Sequence, residues 1–83
     1  MEPAVAFGRV LRRMRRRAAL TQEQLGFEAE LRRTYVSILE LGQQQPSLAT
    51  ILKIAAALGC SASELMAQVE AEMLSAGLDA LND

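Results

Sequence analysis

The stretch from Thr21 to Gly42, TQEQLGFEAELRRTYVSILELG, leaves the chain few architectures to adopt. It reads as two short helices joined by a tight turn. Thr21 is placed to cap the first, with Gln24 three residues on to complete a capping box. Leu20 and Leu25 straddle that cap at the spacing of a hydrophobic staple, and Leu25 and Ala29 share one face at i, i+4. After a break at Glu30–Leu31 the pattern restarts, and a second helix is expected over about Arg33–Leu41. Val36 and Leu39 form its inward stripe, Leu31 and Val36 a second staple, and Gly42 its stop. Arg33, Thr34, Ser37 and Ile38 are left on its outer side.

The flanks supply the rest of a helical bundle. Phe7, Val10, Leu11, Met14 and Ala18 recur at helical spacing, predicting a first helix from Pro3 or Ala4 to Ala19. Arg9, Arg12, Arg13 and Arg16 gather opposite that stripe, while Arg15 falls at its edge. Such a cluster reads first as a solvated face, and second as a source of phosphate contacts. Pro46 breaks the chain and Ser47 caps a fourth helix, Leu48 to Leu58. Its face is expected to be Leu48, Ile51, Leu52, Ala55 and Leu58, widened by Ile54, with Gly59 as its stop. Ser61 and Glu64 form a further capping box, stapled by Cys60 and Leu65. They open a fifth helix bearing Leu65, Met66, Val69, Met73 and Leu74 to about Ala76. Gly77 is expected to end it. The fold class that follows is all-α: a compact five-helix bundle occupying residues 1–77, with a tail over 78–83.

Composition agrees and removes several functions. The 83 residues fit one domain, 51% hydrophobic but only 4% aromatic, so Ala, Leu, Met and Ile must build the core, as in packed helices. Histidine is absent, which removes Ser-His and Cys-His nucleophile pairs. With the single Cys60 it also removes a structural zinc site of the usual ligands. No glycine-rich phosphate loop occurs. The chain is therefore not expected to be an enzyme or to hold a metal or cofactor. A lone cysteine suits a reducing compartment, and no apolar run approaches the ~20 residues of a membrane span, so the expected location is cytoplasmic, with no membrane partner.

Charge distribution says more than the net −1. Through Arg33 there are eight arginines against four glutamates; beyond it stands Lys53 alone against six acids. A basic N-terminal half and an acidic C-terminal half suggest one face turned to phosphates and another kept away. Binding double-stranded DNA makes use of these residues. Arg33, near the start of the second motif helix, could grip guanine O6 and N7 bidentately. Thr34 could meet a thymine methyl or donate to a base; Ser37 and Ile38 lie one turn on. Ile38 is equally suited to the core or a subunit contact. Arg32, the Tyr35 hydroxyl and the amides of Gln43, Gln44 and Gln45 are candidates for phosphate. Amides release no counterions, so a shallow salt dependence is expected of them.

The pieces LTQEQL, RRTYVSILELG, PSLATILKIAAALG and CSASELM, in this order and spacing, resemble the helix-turn-helix repressors of the phage Cro/repressor type, the XRE-type regulators. The resemblance runs from about Phe7 to Met66. It implies transcription regulation, as repressor or activator, by a homodimer on a pseudo-palindromic operator. It implies that Gln22, at the first turn of the second helix, meets a phosphate. It also implies that Arg15 pairs with Glu40, tying the first helix to the third. The run LRRTYVS is similar to that of the controller proteins of restriction–modification systems, small dimers in which the positions matching Arg33, Thr34 and Tyr35 carry base and backbone contacts. Dimerisation is expected through Met66, Val69, Met73 and Leu74, extended by Leu78 and Leu81, the alternative being that half of these complete the core. A protein-interaction module, such as an antitoxin masking a toxin, uses the same fold and is the alternative reading. RNA polymerase is the other protein partner the resemblance suggests.

Four positions depart from the family pattern. Glu30 occupies the turn usually given to Gly or Asn and would cost roughly 1–2 kcal/mol if left-handed. Arg32 replaces a capping residue, and Leu41 a frequent Arg or Asn. Gly26 replaces alanine, so Gly26→Ala is expected to raise stability unless the helices touch there more closely than a methyl allows.

Overall fold

A computed structural model of the chain describes the backbone of residues 1–82 and the side chains of residues 1–77. Five helices follow one another: α1 (Pro3–Arg17), α2 (Gln22–Ala29), α3 (Arg33–Glu40), α4 (Leu48–Leu58) and α5 (Ala62–Asn82), with no strand among the described residues. α1 packs on α3 and α5, α2 on α3 and α4, and α4 on α5. No single helix among them is long and apolar enough to cross a membrane.

Side-chain caps start α2 and α4. Thr21 and Gln24 form the reciprocal capping box, Thr21 Oγ1 accepting from the Gln24 N–H at 3.0 Å and Gln24 Oε1 from the Thr21 N–H at 2.9 Å. Ser47 Oγ accepts from the Thr50 N–H at 3.1 Å. Arg32, by contrast, makes no side-chain cap, as its residue type predicts.

One device stops the first four helices. A residue in the left-handed region turns the chain, and the next N–H donates back to a carbonyl five residues earlier. The pairs are Leu20 to Arg15 (3.1 Å), Leu31 to Gly26 (2.7 Å), Gln43 to Ile38 (3.2 Å) and Cys60 to Ala55 (3.0 Å). Gly42 (φ 71°) and Gly59 (φ 75°) fill this role without strain. Ala19 and Glu30 fill the other two, both at φ 58°. The Ala19 turn corrects the expected end of α1: the helix stops at Arg17, and Ala18 is exposed rather than part of the stripe. At the other end of the chain Gly77 does not stop α5, which runs through it to Asn82.

The core is a single cluster led by Leu11, Leu25, Leu39, Ile54, Leu65, Val10 and Val36, all fully buried. Two expectations are corrected by it. α4 turns Ile54 and Ala55 inward with Ile51 and Leu58 against the core, as expected, but it also buries Thr50 and leaves Leu48 and Leu52 exposed. A helix apolar on nearly every side, LATILKIAAAL, cannot choose its inner face by periodicity alone. The second correction concerns Val69, which is 3% exposed within this core and so has no surface left for a partner. Met66 and Met73 also pack on the core, leaving part of each exposed, and Leu74 is exposed. Leu78 and Leu81 lie outside the residues whose side chains are described.

Candidate nucleic-acid interface

α3 is held from behind. Val36 and Leu39 are fully buried, and Gly8 of α1 lies so near the Leu39 and Glu40 carbonyl oxygens that a Cβ there would collide with both. At its start the turn from α2 is equally close. A Cβ on Gly26 would stand 2.5 Å from the Leu31 carbonyl oxygen. The exception attached to Gly26→Ala therefore applies, and the substitution is expected to destabilise.

The far end of α3 is pinned by charge. Arg15 Nε and Nη2 donate to the two carboxylate oxygens of Glu40 at 2.6 and 2.9 Å, and its Nη1 donates to the Leu20 carbonyl at 2.9 Å. One guanidinium thus ties α1, the end of α3 and the turn into α2. The side chains of Arg15 and Glu40 are 11% and 4% exposed. Hydrogen bonds to Glu40 raise the pKa of Arg15, against the opposing effect of desolvation and with help from the carboxylate charge. The Gln22 amide joins the group, Nε2 donating to Glu40 Oε1 at 3.1 Å.

These contacts leave the front of α3 free. Arg32, Arg33 and Thr34 are exposed in sequence at its start; Ser37 and Ile38 are half-buried one turn further on. Tyr35 is half-buried with its ring against the core. Gln43 and Gln44 are exposed just past the other end of the helix. Arg33 lines one open depression with Arg15, Thr21, Gln22 and Glu23, so the starts of α2 and α3 meet there. The free N–H groups and positive dipole end of α2 suit an anion in that place, although Glu23 opposes it. The arginine and glutamine candidates therefore divide: Arg32 and Arg33 lie at one end of α3, Gln43, Gln44 and Gln45 past the other, and Gln22 stands between, beside Arg33 and bonded to Glu40.

Sequence reasoning missed a second link. Glu72 of α5 receives Arg13 Nη1 at 2.9 Å and lies 3.8 Å from Arg9 Nη1, joining α1 to α5. The partners are 59 residues apart, and no local spacing signals them.

Comparison with known proteins places this geometry. A helix-turn-helix domain family matches residues 6–68. The control protein C.MunI of a Mycoplasma species is 38% identical over 69 residues, covering 82% of this chain and 93% of that protein. The control protein C.BamHI of Bacillus amyloliquefaciens is 41% identical over 61 residues, covering 72% and 75%. Among solved structures, the restriction-modification controller protein C.AhdI of Aeromonas hydrophila is 45% identical with a TM-score of 0.73, covering 75% of this chain and 94% of that one. The four-piece motif, the motif helix braced from behind and these relatives agree: the chain belongs to the controller-protein family of helix-turn-helix transcriptional regulators, which have the Cro/repressor-like fold and bind specific DNA sequences rather than catalyse reactions.

Proposed function

We propose that the chain acts in the cytoplasm as a homodimer on a pseudo-palindromic operator, with one α3 in the major groove of each half-site. Two recognition helices one turn of DNA apart, about 34 Å, meet such a site on one side of the duplex. Arg33 reads guanine through O6 and N7. Thr34, Ser37 and the outer edge of Ile38 meet neighbouring bases. Gln22, Arg32, Tyr35, Gln43 and Gln44 hold the phosphates on either side and set the register. Leu74 and the exposed parts of Met66 and Met73 carry the subunit contact, and Leu48 and Leu52 add apolar area in the same acidic half.

The single observation that carries this reading is the division of α3 into two faces. Its inner side is fully committed to Val36, Leu39 and the Arg15–Glu40 pair, while Arg32, Arg33 and Thr34 are exposed at its start. A side chain meant only to solubilise the helix would not need so rigid a mount.

The test is a gel shift with the DNA upstream of the chain's own coding sequence, at two salt concentrations, with Arg33→Ala alongside. The wild type is expected to form a complex of dimer stoichiometry. Arg33→Ala should lose about 1–3 kcal/mol per half-site and tolerate changes at the guanine it reads. Equal affinity of both proteins for every duplex would refute the assignment of Arg33.

A further inference from the structure

α1 carries more charge than its fold needs. Arg9, Arg12, Arg13, Arg16 and Arg17 line one continuous depression on its outer side. Arg9–Arg13, Arg12–Arg16 and Arg13–Arg17 are pairs at i, i+4, and Arg9–Arg12 and Arg13–Arg16 pairs at i, i+3. Like charges at these spacings repel and destabilise a helix. Only Glu72 answers them, and it takes Arg13 and Arg9; among the described residues no acid lies within ion-pair distance of Arg12, Arg16 or Arg17. Attraction to the negative end of the helix accounts for Arg16 and Arg17 in the last turn. It does not account for Arg12, because the dipole effect fades within that turn. An unanswered local conflict of this kind is a mark of a functional surface.

Its position names the ligand. About 100° of rotation per residue puts Arg12 and Arg16 roughly 60° and 100° around α1 from Arg15. Arg15 lines the depression shared by the start of α2 and Arg33. From Arg17 the chain reaches the α2 N-terminus through Ala18, the left-handed Ala19, and Leu20, whose carbonyl Arg15 holds. The arginine strip therefore begins where the anion-favouring end of α2 stops. On the reading that α3 enters the major groove, we propose that Arg12 and Arg16 form a second phosphate-binding strip, which grips the DNA backbone on the flank of the half-site beyond the bases that α3 reads. The strip supplies the counterion release that Gln22, Gln43 and Gln44 cannot.

The test measures the salt dependence of operator binding for the full chain, for Arg12→Gln/Arg16→Gln, for Arg33→Ala and for Lys53→Gln, an exposed cation on α4. Removing one arginine–phosphate pair should make the slope of log K against log salt shallower by about 0.9, so roughly 1.8 per protomer for the double variant. Its melting temperature should stay close to that of the wild type, because the repulsion relieved around Arg12 and Arg16 offsets the loss of Arg16 from the negative end of the helix. Lys53→Gln should leave the slope unchanged. A double variant with the wild-type slope, or a Lys53→Gln effect as large per charge, would overturn the strip while leaving the α3 reading intact. Operator binding indifferent to Arg33→Ala would count against the α3 reading instead.

Discussion

α3 and α4 are neighbours in sequence, and both are short, yet they are specified in opposite ways. α4 carries its own instructions: Ser47 caps its start, Gly59 stops it without strain, and its residues are apolar enough to find the core. α3 carries few. It has no side-chain cap, it follows a left-handed glutamate, and its aim is set by Gly8, Gly26 and Arg15, all of which belong to other helices. A helix that must present its outer face to a ligand cannot spend that face on its own stability. Its orientation is therefore delegated to the elements behind it.

The most damaging way to break this contrast is Glu40→Ala. The substitution leaves the Arg15 guanidinium, 11% exposed, without its carboxylate, and frees the Gln22 amide as well. Loss of one partner of a buried pair costs about 3–5 kcal/mol. The lower figure suits a site where Arg15 retains some access to water and its bond to the Leu20 carbonyl. Thermal unfolding should show a large drop in melting temperature, and DNA affinity should fall even where the protein remains folded. An unchanged melting temperature would mean that α3 is not held by this pair.

Gly26→Ala is next in size. Its methyl would meet the Leu31 carbonyl at 2.5 Å, and that carbonyl belongs to the turn and has no rotamer to escape into. Overpacking of this kind costs about 1–3 kcal/mol. Helix propensity favours alanine by about 1 kcal/mol, so a net gain in stability would show that the turn relaxes. The same residue marks the limit of what the sequence could say. Glycine in a helix is read as weakness because the carbonyl that crowds it comes from a turn whose path the chain does not announce. The helix starts at Thr21 and Ser47, and the stops at Gly42 and Gly59, were legible because each is encoded within a few residues. The left-handed turn at Ala19 was not, since alanine carries no turn signal. On α4, Ile51, Ile54, Ala55 and Leu58 were legible as inner residues, but the exposure of Leu48 and Leu52 was hidden by its surplus of apolar residues, and Glu72 by the length of chain between it and Arg13. Within the interface, the exposed start of α3 could be read from its own pattern. The Arg15–Glu40 link came from family resemblance, because neither residue identifies the other by spacing.

Ser47→Ala tests the other half of the comparison. The cap bond to the Thr50 N–H is removed, together with the Ser47 hydroxyl's bond to Thr50 Oγ1 at 3.0 Å. Losing a cap costs about 1 kcal/mol. Because α4 does not aim α3, stability should fall while the ratio of operator to random-sequence affinity stays as in the wild type. A change in that ratio would show that the two helices are not separately specified.

The smallest effects should come from the two left-handed turns on either side of α2. Ala19 and Glu30 share φ 58°, so glycine relieves a similar backbone strain at each, about 1–2 kcal/mol. Against this stands the extra freedom that glycine gives the unfolded chain, about 0.4–1 kcal/mol. Ala19→Gly and Glu30→Gly should each therefore stabilise by roughly 0.8 kcal/mol, read as a small rise in melting temperature. Only Glu30→Gly also removes a charge, and Glu30 leads directly into Arg32 and Arg33 at the exposed start of α3. Should operator affinity rise for Glu30→Gly but not for Ala19→Gly, the gain belongs to electrostatics near the phosphates. Should it fall for Glu30→Gly while stability rises, the strained glutamate is part of what aims the recognition helix, and the turn trades stability for direction.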